Sequence, residues 1–214
     1  MKTTYLFLLL SVAVFGQETQ KVTVKETREV YYVLKENRNV MHGPYQKLDW
    51  RNKPFIAGNY DHNKKVGEWS FYVNGGLEQT YDFSKNQVVY YKPVMEKDTA
   101  GKILVGIDTV LAKFSRPALY IGGSATFMGY IQRQINYPKE ASRMGVQGKV
   151  IVSFWIDENG KTSDHRVVQG VGSGCDEEAL RVVKGIPDAW LPAEIEGKKV
   201  KSEMQMPIKF QLAY

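Results

Sequence analysis

The sequence predicts an α+β protein, in which an all-β region of hairpin repeats precedes a domain with helices packed on a small antiparallel sheet. Aromatic residues make up 12% of the chain, a content typical of packed β structure. Apolar residues alternate from Val150 to Ile156, and Asn159-Gly160 then marks a tight hairpin. Apolar residues also recur at helical spacing both before and after this hairpin, which adds helices to the sheet.

The composition narrows the class of protein. With 214 residues, 43% of them hydrophobic, the chain can form one large domain or two small ones with their own cores. The net charge is +6, but basic residues are mixed with acidic ones except at Lys64-Lys65 and residues 198–201. A nucleic-acid-binding surface is usually continuous and carries stacking aromatic side chains. We therefore expect a solvated basic surface and no nucleic-acid partner, with a polyanion site at residues 198–201 as the alternative.

The N-terminus has the pattern of an export signal. Lys2 gives a positive start, residues 5–15 are nearly all apolar, and Gly16 permits cleavage. The apolar run is shorter than the roughly 18 residues that a membrane-spanning helix needs. The sequence therefore predicts a signal peptide over residues 1–16 and a mature protein in the periplasm. If the segment remains uncut, it would instead be an inner-membrane anchor.

Residues 17–95 are predicted to form a β-hairpin repeat domain. The run His42-Gly43-Pro44-Tyr45 is matched by Val66-Gly67-Glu68-Trp69, with the glycine and the aromatic residue at the same spacing. Similarly, Gly58-Asn59-Tyr60-Asp61 is matched by Gln79-Thr80-Tyr81-Asp82. Glycine followed by aromatic residues loosely resembles MORN-type repeats of short hairpins. The resemblance implies a binding or spacing platform, and a plain β-meander that supports the second domain is the alternative.

A linker is predicted at residues 96–116 and a second domain at residues 117–214. In this domain Ser124 is expected to cap a helix with an apolar face. Tyr137-Pro138 ends that helix, and Pro138 is predicted at the first position of a short helix that stops at Gly145. A strand, the hairpin and a returning strand follow, and then a helix opened by acidic residues 176–178. Trp190 is expected to fill the core over the sheet.

The last strand is predicted over about residues 200–212. Every second residue from Met204 to Leu212 is apolar, so these side chains share one face. Pro207 belongs to the other, mainly polar set and cannot donate a hydrogen bond to a neighbouring strand. Its position therefore predicts an edge strand.

The ordered motifs of the second domain resemble the C-terminal domain of TonB, an energy-transducing periplasmic protein. The resemblance covers residues 116–212 and continues through residues 174–184 and 189–192 into the last strand. The residues that carry its first part are Tyr137-Pro138, Ala141, Gly145, Gly148, Val150 and the turn at residues 157–160.

The resemblance implies that the domain captures a short segment of an outer-membrane TonB-dependent receptor, in TonB-dependent transport across the outer membrane. In that mode an extended peptide joins an open sheet edge as an extra strand. The peptide-binding residues that the resemblance implies are Asn136, Tyr137, Pro138, Glu203, Gln205, Pro207, Lys209 and Gln211. The alternative for the residues of the last strand is ordinary solvent exposure without a ligand.

The chain departs from the TonB pattern in its N-terminal half. It has no Pro-rich spacer, and the repeat region stands in that place. Inner-membrane motor proteins are expected as partners only if the N-terminal segment remains uncut. A structural envelope module that self-associates as a homodimer through the same edge, with no motor coupling, is the alternative function.

No pattern in the sequence predicts an enzyme, and we expect no catalytic residue, metal or cofactor. His42, His62 and His165 lack zinc-type spacing with cysteine or carboxylate residues, and no nucleophile elbow or phosphate-binding loop is present. Cys175 is the only cysteine, so it cannot form an internal disulfide. A thiol at a helix start can have a lowered pKa, but a small buried residue is the favoured interpretation.

Overall fold

The computed structural model describes residues 17–92 and 100–212. The predicted signal peptide at residues 1–16 lies outside these ranges. The described residues divide into two compact units, one of residues 17–69 and 82–86 and one of residues 70–81, 87–92 and 100–212. None of the helices in the described ranges has the length and hydrophobicity needed to span a lipid bilayer.

The N-terminal region is all-β, as predicted. Its strands follow one another in the same order in the sheet as in the chain, and β1 to β4 pair antiparallel. The MORN-like resemblance of this region stays a prediction. The strands are β1 (Thr19–Val24), β2 (Glu29–Leu34), β3 (Met41–Leu48), β4 (Pro54–Asp61), β5 (Lys64–Val73), β6 (Gly76–Asp82) and β7 (Gln87–Tyr91).

Aromatic residues at equivalent repeat positions meet in the first unit. Tyr45 and Trp69 stack with their ring centroids 5.5 Å apart, and Tyr60 meets the Trp69 ring edge-on at 5.0 Å. Trp69 is only 1% exposed, and its indole N–H donates to the carbonyl of Asn59 at 3.1 Å. A large buried ring whose polar atom is satisfied stabilises the unit through its apolar area.

The second unit contains three helices and a second antiparallel sheet. The helices are α1 (Gly123–Gln134), α2 (Lys139–Met144) and α3 (Cys175–Lys184). The remaining strands are β8 (Ala100–Val105), β9 (Asp108–Lys113), β10 (Leu119–Tyr120), β11 (Gly148–Ile156), β12 (Thr162–Gln169), β13 (Trp190–Leu191), β14 (Ala193–Ile195), β15 (Lys198–Val200) and β16 (Ser202–Phe210). The main sheet has the order β12-β11-β16-β8-β9, so two of its strands come from the stretch that the sequence assigned to a linker. This arrangement confirms the α+β class.

The core of the second unit lies between this sheet and the helices. Val150, Val152 and Ile156 of β11 are all 0% exposed, and α3 contributes buried apolar residues to the same cluster. Trp190 is 5% exposed and contacts Phe154 edge-on at 5.6 Å. The prediction that Trp190 fills the core is therefore confirmed.

Two predicted helix starts differ from the structure. Gly122, with φ of 109°, precedes the first residue of α1, and the Ser124 side chain makes no capping bond to its own helix. Pro138 is the residue before α2 and not its first residue. Gly145, with φ of 66°, ends α2 as predicted.

Gly58 and Trp69 provide a stability test of the first unit. A Cβ added at Gly58 would overlap the Trp69 ring, which is held by its neighbours. We expect Gly58→Ala to lower the free energy of unfolding by about 1–3 kcal/mol, as overpacking usually does. Gly76→Ala is the control, because its Cβ would meet nothing closer than a backbone oxygen at 3.6 Å. Urea unfolding followed by circular dichroism measures both, and equal losses would contradict the close approach.

Candidate functional site

β16 is paired along its whole length with β11. β11 pairs with it from Gly148 opposite Phe210 to Ile156 opposite Ser202. On its other side, β8 pairs with it only at Ser202, and the N–H of Leu104 donates to the carbonyl of Lys201 at 3.2 Å. The predicted edge strand is therefore an inner strand at its start.

Among the described residues, no strand pairs with the rest of the second side of β16. The peptide groups of alternate residues in a strand point to the same side, and the Lys201 carbonyl points towards β8. The backbones of Gln205, Pro207 and Lys209 therefore point away from β11. Within residues 17–92 and 100–212, no strand pairs with them there. All three side chains are exposed, as is that of Gln211 immediately after the strand.

The carboxylate of Glu203 joins four strands of the sheet. Its side chain is 4% exposed and forms ion pairs with Arg166 of β12 at 2.6 Å and Lys102 of β8 at 3.3 Å. The hydroxyl of Ser153 on β11 donates to the same carboxylate. Burial alone would raise the pKa of Glu203, but these donors and positive charges outweigh it and hold the pKa below its ordinary value. Its side chain is thus used within the sheet, and we leave it out of the docking edge.

The Tyr-Pro motif lies at the far end of β16. The Tyr137 ring meets that of Phe210 edge-on at 5.6 Å, and the Tyr137 hydroxyl donates to the carbonyl of Val146. The N–H of Asn136 donates to a carboxylate oxygen of Glu178 at 2.6 Å. Asn136 is exposed, whereas Tyr137 and Pro138 are half-buried. These contacts give the motif a role in fixing the end of the strand.

A mostly apolar groove of about 520 Å³ borders β16. Residues 204–207 form one wall, and Phe127 and Met128 of α1 contribute to the lining, together with Tyr91 and Lys92. The groove and the unpaired backbone groups thus share one strand. An extended segment that bonds to β16 can place alternate side chains in this groove.

Two side chains of β6 support the groove. Gln79 is 2% exposed, donates to the carbonyl of Tyr120 at 3.1 Å and accepts from the N–H of Gly122 at 2.7 Å. Glu78 accepts from the N–H of Ser124 at 3.0 Å and from its hydroxyl. The start of α1 is therefore capped by a distant carboxylate, which the helix dipole also favours. Neither residue was predicted from the sequence, because Gln79 belongs to a repeat that indicates only a hairpin and Glu78 lies outside that repeat.

The environment of Cys175 is not that of an activated nucleophile. The side chain is 0% exposed, and burial raises the pKa of the Cys175 thiol, with the charges of Asp176 and Glu177 adding to the shift. A reactive thiol needs the opposite shift, so the interpretation of a small buried residue is supported.

His165 stacks on Phe154 with the ring centroids 5.1 Å apart, and burial lowers the pKa of His165.

Comparison with known proteins identifies the C-terminal part of the chain. Residues 133–212, well under half of the sequence, match the family model of the Gram-negative bacterial TonB protein C-terminal domain. This part is therefore a domain of that family, as the motifs predicted. No match was found among curated proteins.

Two solved structures are similar to this chain, both solution structures of the TonB C-terminal domain of Helicobacter pylori. One is 28% identical, covers 44% of this chain and 87% of its own, and has a TM-score of 0.32. The other is 26% identical, covers 40% of this chain and 89% of its own, and also has a TM-score of 0.32. The assignment of residues 133–212 to the TonB C-terminal family therefore depends on the family match.

Replacing Gln79 tests the support of the groove. Gln79→Ala leaves the Tyr120 carbonyl and the Gly122 N–H without their partner, and each unsatisfied buried group costs about 1–3 kcal/mol. We therefore expect a loss of about 2–6 kcal/mol in the free energy of unfolding, measured by urea denaturation. Thr80→Ala is the neighbouring control, since Thr80 makes only a marginal 3.5 Å contact with Ser70. A loss no larger than that of the control would contradict the bridging role.

Glu203 predicts a pH dependence of stability. Because the pKa of Glu203 is lowered in the folded state, its contribution is complete above the unfolded value of about 4.3 and is lost as the pH falls through the folded pKa. We expect Glu203→Gln to be less stable than the wild type by about 1–2 kcal/mol at pH 7, with the difference shrinking below about pH 4.3. Urea unfolding at several pH values measures this. The exposed Glu158→Gln variant is the control, and a pH-independent difference for Glu203→Gln would refute the argument.

Proposed function

We propose that this chain is an envelope protein of TonB-dependent transport that binds a segment of an outer-membrane receptor by strand addition along β16. The observation that carries the proposal is the backbone of Gln205, Pro207 and Lys209, which lies beside an apolar groove and with which no strand of residues 17–92 or 100–212 pairs on its outer side. The matched family is transport-associated and non-enzymatic, which supports a binding role for residues 133–212. Export to the periplasm through residues 1–16 is part of the proposal, and coupling to inner-membrane motor proteins applies only if that segment remains uncut.

The open side of β16 is suited to a short ligand. Gln205 and Lys209 each offer an N–H and a carbonyl, whereas Pro207 offers only a carbonyl. A strand rises about 3.4 Å per residue, so these positions span about 14 Å and match roughly five residues of extended peptide. The bonds would supply affinity, and apolar side chains entering the groove would supply selectivity.

The attachment of β8 defines where the ligand begins. Glu203 ties β8 to β16 through Lys102, and strand pairing with β8 is limited to Ser202. An incoming strand therefore occupies the part of β16 after Glu203. At the far end, the contact of Tyr137 with Phe210 supports the strand, so the Tyr-Pro motif acts on binding through the strand it supports.

Self-association is the second candidate function. β9 is the last strand of the main sheet, and it exposes Val110 and Leu111, the latter by 78%. Exposed apolar strands at a sheet edge favour pairing with another chain. Sedimentation velocity over a range of concentrations separates the candidates. A monomer at every concentration removes the homodimer. Dimers that receptor peptide dissociates would favour self-association through β16, as the sequence predicts, and dimers that the peptide leaves intact would favour β9.

Proline substitution tests strand addition directly. Pro207 shows that proline fits an outward position of β16, so Gln205→Pro removes one outward N–H and leaves the pairing with β11 intact. We expect Gln205→Pro to weaken binding of a receptor N-terminal peptide by about 3- to 10-fold, the contribution of one hydrogen bond. Gln205→Ala retains the N–H and should bind like the wild type. Fluorescence anisotropy with labelled peptide measures the affinities, and equal affinities of the two variants would contradict strand addition at this position.

A further inference from the structure

Two histidines and one aspartate meet in the first unit, at the turn between β4 and β5. His42 is the second residue of β3, Asp61 is the last residue of β4, and His62 is the first residue of the turn. One ligating atom from each lies within 4.8 Å of the others. Across residues 17–92 and 100–212, no other three His, Cys, Asp or Glu side chains converge in this way.

The backbone brings these side chains together. Gly43 pairs with Tyr60, so the next pair along the two strands is His42 and Asp61. His62 and Asn63 have φ values of 46° and 67°, the left-handed conformation of a two-residue type I′ hairpin turn. This turn is attached to the start of β3, because the Asn63 side chain accepts from the N–H of Met41 at 2.7 Å. The ring centroids of His42 and His62 are consequently only 5.0 Å apart.

Among the described residues, Nδ1 of His42 has no hydrogen-bond partner. Its side chain is 9% exposed, and Nδ1 lies 3.3 Å from Oδ1 of Asp61 but outside hydrogen-bond geometry. His62 Nδ1 lies 2.6 Å from the same oxygen and takes that bond. A buried polar atom without a partner is costly and is uncommon in folded proteins. A ligand that accepts the free electron pair of His42 Nδ1 would remove this cost.

We propose that His42 Nδ1, the Asp61 carboxylate and His62 Nδ1 bind a divalent transition-metal ion, with Zn²⁺ as the best match. Zn²⁺ takes imidazole nitrogen and carboxylate oxygen at about 2.0–2.2 Å, so tetrahedral ligands lie about 3.3–3.5 Å apart. The separation of 3.3 Å between His42 Nδ1 and Asp61 Oδ1 fits that value. His62 Nδ1 lies 2.6 Å from the same oxygen, closer than two tetrahedral ligands would be. On metal binding Nδ1 would lose its proton and exchange the hydrogen bond to Asp61 for the metal, and the His62 side chain, 53% exposed, has room to move outward. Ca²⁺ and Mg²⁺ prefer all-oxygen ligands and fit poorly.

The electrostatics of the cluster suit a cation. Asp61 supplies a carboxylate, which is ionised at neutral pH in the ordinary case and attracts a cation. Three protein ligands leave one tetrahedral position for water or for a side chain of another molecule. The metal would also link β3 to the β4–β5 turn, and would therefore stabilise the first unit in proportion to its binding. The proposal does not depend on the function of β16, which belongs to the other unit.

Calorimetric titration of the untagged full-length protein with ZnCl₂ tests the proposal. We expect one Zn²⁺ per chain, a rise in melting temperature on saturation, and no heat of binding with CaCl₂ or MgCl₂. His62→Asn and Asp61→Asn each remove one ligand, and asparagine tolerates the left-handed conformation of His62. Each variant should weaken Zn²⁺ binding by at least the roughly 10- to 100-fold that loss of an outer-shell partner costs.

The third histidine supplies the control. His165→Ala removes an imidazole of the second unit and should bind Zn²⁺ like the wild type. Circular dichroism and melting without metal establish that each variant is folded. Absence of a one-to-one complex in the wild type would overturn the proposal. So would equal Zn²⁺ affinity of the His62→Asn, Asp61→Asn and His165→Ala variants, because the ion would then bind elsewhere.

Discussion

The buried carboxylate of Glu203 determines where the C-terminal sheet is closed and where it is open. Ser153, Arg166 and Lys102 reach it from three different strands, so the start of β16 is held on both sides. A carboxylate removed from water requires such donors, and the sheet must therefore bring β8 to this point. Beyond it, pairing between β8 and β16 ends, and the apolar groove begins beside backbone with which no described strand pairs on that side. The sheet thus has one closed end and one open end, set by a single residue.

Local patterns predicted the elements of the second unit well. Three of these patterns depend only on neighbouring residues: the alternation from Val150, the Asn159-Gly160 turn and the acidic start of α3. The structure contains all three. The alternating last strand is present as β16, but it lies between β11 and β8 at its start, and peptide binding at Gln205, Pro207 and Lys209 stays a prediction.

Long-range contacts could not be predicted in this way. Three features join residues distant in sequence. They are the pairing of β8, from the expected linker, with β16, the capping of α1 by Glu78, and the position of Glu203 inside the sheet. The cluster of His42, Asp61 and His62 could not be predicted from zinc-type sequence spacing, which these residues do not follow. Here the spacing is set by strand register and by a left-handed turn, which brings together residues that ordinary ligand motifs do not associate.

The missing N–H of Pro207 also has a consequence for solubility. An uninterrupted row of donors and acceptors along β16 would be a template on which further chains could add without limit. Proline interrupts that row at its centre, and the exposed ammonium group of Lys209 adds charge to the same margin. A short ligand can still form hydrogen bonds on either side of Pro207. A long, regular strand from a misfolded chain forms fewer backbone hydrogen bonds with β16 than it would without the proline. One imino acid therefore lets the protein keep an accessible sheet margin with a lower tendency to form fibrils.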